Sequence, residues 1–141
     1  MKKKIIVLGA GLVGKAMALD LAKDFDLTSV DINDQALASL SASGVKTQKL
    51  DFSNLDILKS TITDFDLVVG AVPGFMGFQT AKAVIESGKN MVDISFFPED
   101  PFLLDDLAKK NNVTIVTDCG VAPGMGNIIL GYHNKRMQID T

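Results

Sequence analysis

Short aliphatic and β-branched runs alternate along the chain with stretches whose apolar residues recur every three or four positions. The first kind reads as strand and the second as one-sided helix. Lys3 to Leu8 predicts the first strand. Val13, Ala16, Met17 and Leu21 give a helix over about Leu12 to Lys23 a single apolar face. Leu27 to Asp31 predicts the second strand. Asn33 or Asp34 can cap the next helix, where Ala36, Leu37 and Leu40 face inward and Gly44 ends it. Val45 to Leu50 predicts the third strand, and Leu55, Ile57, Leu58 and Ile62 mark a short helix. Asp66 to Gly70 is almost continuously apolar after its first residue, as a strand covered on both faces must be. A helix over about Phe75 to Ser87 follows, stopped by Gly88. Met91 to Ile94 predicts a fifth strand. Asp100 and Pro101 begin a helix running to about Lys110. Val113 to Thr117 predicts a sixth strand, and a last helix spans about Met125 to Asn134.

Six strands alternating with helices predict one α/β unit. It is a Rossmann-type doubly wound parallel six-stranded sheet, in order 3-2-1-4-5-6, with helices on both faces. Right-handed crossovers carry the carboxyl ends of all six strands to one edge. Gly9, Asp31, Asp51, Gly70, Ser95 and Asp118 are therefore expected beside one crevice.

The turn after the first strand reads Gly9-Ala10-Gly11-Leu12-Val13-Gly14 and fits G-x-G-x-x-G. The pattern is weak alone, but here it joins a strand to a helix. Gly9 allows the tight turn, Gly11 the approach of a pyrophosphate, and Gly14 the packing of helix on strand. The free N–H groups at the helix start can then bind phosphate. Asp31 closes the second strand twenty residues after Gly11, where a carboxylate can accept from the adenosine ribose hydroxyls. That carboxylate repels a 2′-phosphate, and Ile32 and Asn33 follow it in place of a cation. NAD is therefore the expected cofactor, with NADP possible. Asp51 and Phe52 end the third strand, where they flank an adenine or form a turn. Ala71-Val72-Pro73 follows the fourth strand, beside the expected position of the nicotinamide ribose.

Composition narrows the partners. The 141 residues are 47% hydrophobic and 22% charged, enough apolar material for one core, and the net charge is −3. An acidic chain repels nucleic-acid backbones. Lys2, Lys3 and Lys4 read as a solubilising start to the first strand. No run approaches the ~20 apolar residues that cross a bilayer. A lone cysteine, Cys119, fits the reducing cytoplasm. Together these exclude nucleic-acid and membrane partners. One Cys and one His, His133, supply no metal site.

Asp66-Leu-Val-Val-Gly-Ala-Val-Pro-Gly74 and Gly120-Val-Ala-Pro-Gly-Met-Gly-Asn127 resemble the amino-terminal domain of the saccharopine dehydrogenase family, in particular its lysine 6-dehydrogenase branch. Ala83-Val-Ile-Glu-Ser-Gly88 and Met91-Val-Asp-Ile-Ser95 extend the resemblance over essentially the whole chain. The resemblance implies an NAD- or NADP-dependent dehydrogenase that oxidises the C–N bond of an amino acid such as saccharopine or lysine. It implies a longer protein, a homodimer, with residues 1–134 as nucleotide domain and 135–141 as linker to a substrate and dimerisation domain. This chain alone would then be inactive.

Against an amino-acid substrate, Asp93 and Asp118 are the candidate catalytic residues, able to orient an ammonium or take its proton. Asp93 can equally cap a neighbouring backbone. Cys119 reads as a small buried hydrophobe, since hydride transfer needs no nucleophile. A different class also fits a lone Rossmann unit: a nucleotide-sensing regulatory module of the potassium-transport gating type, without turnover. A self-sufficient short-chain reductase needs Tyr-x-x-x-Lys, but Tyr132 is followed four residues on by Arg136.

Overall fold

A computed structural model describes residues 2–137. The strands are β1 (Lys4–Leu8), β2 (Asp26–Asp31), β3 (Lys46–Lys49), β4 (Leu67–Gly70), β5 (Asn90–Asp93) and β6 (Ile115–Val116). The helices are α1 (Leu12–Leu21), α2 (Asp34–Ser41), α3 (Leu55–Ile62), α4 (Gly74–Glu86), α5 (Asp105–Asn111) and α6 (Met125–Asn134). The strands form one parallel sheet in the order β3-β2-β1-β4-β5-β6, as the alternation of patterns predicts.

The sheet carries an apolar layer on each face because its central strands have no polar side. Ile6, Leu8 and Val68 pack with Leu58 and Ile62 of α3 and with Ala81, Val84 and Ile85 of α4. Ile5, Val7 and Val69 face the other way, onto Ala18 of α1 and Leu37 and Leu40 of α2. Burial of each such aliphatic side chain stabilises the fold by roughly 1.5–3 kcal/mol. Helix starts are fixed by side-chain caps where the sequence supplies them. Asn33 Oδ1 accepts from the N–H groups of Gln35 and Ala36, which settles the choice between Asn33 and Asp34. Asn54 does the same for α3.

Between β1 and β4 the order of connection reverses. The ends of the flanking strands are tied there: Gly9 N–H donates to Val30 O and Ala71 N–H to Leu8 O, both at 2.8 Å. Such a switch point leaves a crevice beyond the carboxyl ends of the strands.

Two elements differ from expectation. β6 spans two residues, not the five from Val113 to Thr117. The N–H of Thr114 is taken by the Asn90 side chain, and Asp118 turns the chain away at φ 57°. The helix expected from Asp100 to Lys110 is split. Asp100 caps it as foreseen, but Pro101–Leu104 is a 3-10 turn that buries Leu104 and leaves Phe102 and Leu103 exposed. α6 has the predicted limits, yet none of its side chains is buried. Of the expected linker, residues 138–141 lie outside the described residues. Among the described residues no helix is long and apolar enough to cross a membrane.

Candidate functional site

The crevice at the switch point has a volume of about 620 Å³. Gly9, Gly11, Leu12, Val13 and Gly14 line it from the first turn, and Asp31 and Ile32 from the end of β2. Asp51, Phe52 and Ser53 close it beyond β3, and Ala71, Val72, Pro73, Met76 and Ile94 form the side under β4 and β5. Of the thirteen cofactor residues expected from sequence, twelve are on this wall. Ala10 is not: it is 2% exposed, and its backbone N–H points to Asp31 Oδ2 at 2.6 Å.

The glycine turn owes its shape to three different absences of a side chain. Gly9 has φ 110°, which an L side chain disfavours, and a Cβ there would strike the Ala71 carbonyl. At Gly14 a Cβ would strike the carbonyl of Gly9, so glycine lets α1 sit directly on the turn. Gly11 is the reverse case: a Cβ there would meet nothing within 4 Å. The packing does not demand glycine at that position, and the open space faces the crevice. Gly11 also starts α1 without a side-chain cap, and the first turn has no acidic residue. The free N–H groups there suit an anion.

Asp31 is held in place by its own backbone surroundings. Oδ2 accepts from Ala10 N–H and Oδ1 from Asn33 N–H at 2.8 Å. Each oxygen keeps a lone pair for a hydroxyl, the arrangement that a vicinal diol requires. Beside it Leu12 and Ile32 are 95% and 57% exposed, an apolar rim suited to cover a flat ring. Asp51 Oδ1 accepts from the hydroxyl and backbone N–H of Ser53, and these bonds hold its carboxyl below the usual carboxylate range. The crevice therefore fits a dinucleotide, with phosphate donors at its middle and a carboxylate at one end.

The two candidate catalytic carboxylates lie elsewhere. Asp93 is fully buried under α4, against Gly70 of the next strand. Its Oδ2 accepts from the Ser95 hydroxyl at 2.5 Å, and Oδ1 has no partner. Burial, reinforced by Asp118, pushes its carboxyl up to about 6, against the pull of the Ser95 bonds. Asp118 lines a separate groove of about 470 Å³ between α4, α5 and β6. Gly70 and Ser95, also expected at the crevice, are absent from its wall; both are buried, with Gly70 packed against Asp93. Burial, with Asp93 and Asp118 nearby, raises the Cys119 thiol, which keeps it protonated and unreactive.

Ser53, Met76 and Ile94 also line the crevice, and no sequence motif marks them. Ile94 follows directly on β5, whose carboxyl end the topology brings to this edge. Met76 stands in the first turn of α4, directly after the Pro73 loop.

The family model described as saccharopine dehydrogenase NADP binding domain matches residues 5–116. Alpha-aminoadipic semialdehyde synthase of Mus musculus is 26% identical over 132 residues, covering 91% of this chain and 14% of that protein. The NADP(+), L-glutamate-forming saccharopine dehydrogenase of Pyricularia oryzae is 25% identical over 130 residues, covering 89% and 29%. Among solved structures, apo saccharopine dehydrogenase (L-Glu forming) of Saccharomyces cerevisiae superposes with a TM-score of 0.81 at 24% identity. That match covers 95% of this chain and 31% of the yeast chain. The chain thus spans under a third of each of these proteins.

Proposed function

Since the chain belongs to the saccharopine dehydrogenase NADP-binding domain family, we propose that it is the nucleotide-binding half of an oxidoreductase acting on the C–N bond of an amino acid of the saccharopine or lysine type. We propose NAD as the preferred cofactor. The observation that carries this reading is Asp31, anchored by two backbone N–H groups and facing the crevice that Gly11 leaves open. The family assignment gives no support to a transport-gating module.

When bound, the nicotinamide accepts a hydride from the carbon that bears the amine. The chain's own work is positioning. Gly11 and the free N–H groups of α1 hold the pyrophosphate. Asp31 accepts from the ribose hydroxyls and rejects a phosphate at that site by charge. Val72, Pro73, Met76 and Ile94 form an apolar wall that keeps water from the reacting face. Asp93 is sealed from the crevice and Asp118 lies in another groove, so the groups that handle the substrate's ammonium come from outside this wall. The exposed apolar side chains of α6 support further packing there, in a longer homodimeric enzyme. A single thiol supports a cytoplasmic setting.

A protein that carries this domain with a substrate-binding part is expected to reduce NAD+ when given saccharopine or lysine. Asp31→Ala should raise its KM for NAD+ about tenfold or more, the loss expected when hydrogen bonds to a charged group are removed. The KM for the amino acid should hardly move. Reduction that proceeds equally without any amino acid would contradict the substrate assignment.

A further inference from the structure

The family is described by NADP, yet this chain has a carboxylate where the 2′-phosphate would sit. Among the described residues, Lys49 is the cation that the strand register sets beside that carboxylate. In the parallel register of β2 and β3, Lys49 lies directly opposite Asp31. Its ammonium is bound to Asp34 Oδ2 at 2.7 Å. Asp34 begins α2, three residues beyond Asp31. Both partners of the pair are exposed, so little but their mutual attraction holds Lys49 there. Lys15 is the other nearby cation, and it is held by the neutral Ser39 hydroxyl farther along α2.

A phosphate on the ribose held by Asp31 would meet two carboxylates, Asp31 and Asp34. The second already holds the Lys49 ammonium. We propose that the Lys49–Asp34 ion pair sets the choice between the two nicotinamide dinucleotides. While paired, Lys49 is spent on Asp34 and the unphosphorylated ribose is preferred. Freed from Asp34, Lys49 is the cation that receives the 2′-phosphate. This rests on the reading of the crevice as a dinucleotide site.

The test is direct binding of NADH and NADPH, read by cofactor fluorescence, to the wild type, Asp34→Asn, Lys49→Gln and the double variant. Both positions are on the surface, and circular dichroism melts report whether each variant is folded. Asp34→Asn is expected to tighten NADPH about tenfold, by removing a like charge and releasing an ammonium, and to leave NADH within about twofold. Adding Lys49→Gln should cancel that gain. A gain that survives in the double variant, or one shared equally by NADH, overturns the assignment to Lys49. A wild type that binds neither nucleotide overturns the reading of the crevice itself, and the role of Lys49 with it. Binding of NADH with no response to Asp34→Asn overturns the role of the pair alone.

Discussion

Asp93 and Gly70 face each other across β4 and β5, and the missing side chain of the glycine makes the room that the carboxyl occupies. The carboxyl is buried from bulk solvent and, among the described residues, its side-chain donor is Ser95, so the charged form is disfavoured. Among the described residues no Lys or Arg pairs with it, and Asp118 adds a like charge. Because the folded carboxyl titrates near 6 and the unfolded one near 3.8, the folded state binds the proton more tightly. The stability this gives is whole below about pH 4 and is lost as pH rises through 6. The shift is equivalent to about 3 kcal/mol. Asp93→Asn keeps the shape and removes the ionisation. Thermal melts should therefore show the variant more stable than the wild type at pH 8 and nearly equal to it at pH 3.5. An equal offset at both values would mean that Asp93 is not the buried acid.

At the scale of elements, the sequence told most where its pattern had a single physical cause. β1 and β4 are apolar on both sides and were legible as central strands. The caps at Asn33, Asn54 and Asp100 act through one side chain each, though only Asn33 and Asp100 were readable in advance. β6 was overestimated because Val113 to Thr117 has the composition of a strand, while its pairing is curtailed by the Asn90 side chain and the turn at Asp118. Nothing local to the sequence could report that contact. α6 has the limits its sequence predicts, while nothing in that sequence shows that the helix stands uncovered. A ten-residue helix with no buried side chain has little besides its own hydrogen bonds to hold it. In hydrogen–deuterium exchange its amides should exchange far faster than those of β1 and β4, whose opening requires loss of the core. Protection of α6 equal to that of β1 would show that its apolar side is covered in solution.

Over the whole molecule, strand order and handedness placed the crevice before any contact was known. The glycine turn, Asp31, Asp51 and the loop at Pro73 meet there as the doubly wound topology requires. The same rule failed for Asp93 and Asp118. Topology brings the ends of β5 and β6 to the edge, but side-chain direction and a left-handed residue decide whether a group faces the crevice. Asp93 points into the core beneath α4, and Asp118 turns to the groove beside α5. The position of the crevice and of the residues along it is therefore legible in the sequence, and the direction of Asp93 and Asp118 is not. The account depends above all on Gly11, the one glycine of the turn that the packing leaves free. The measurement that tests it most directly is calorimetric titration of this chain with NAD+, in the wild type and in Gly11→Ala. The account predicts that the wild type binds and that Gly11→Ala melts at nearly the same temperature but loses affinity by about a hundredfold, as a methyl group fills the phosphate position. Unchanged affinity in a folded Gly11→Ala variant would contradict it.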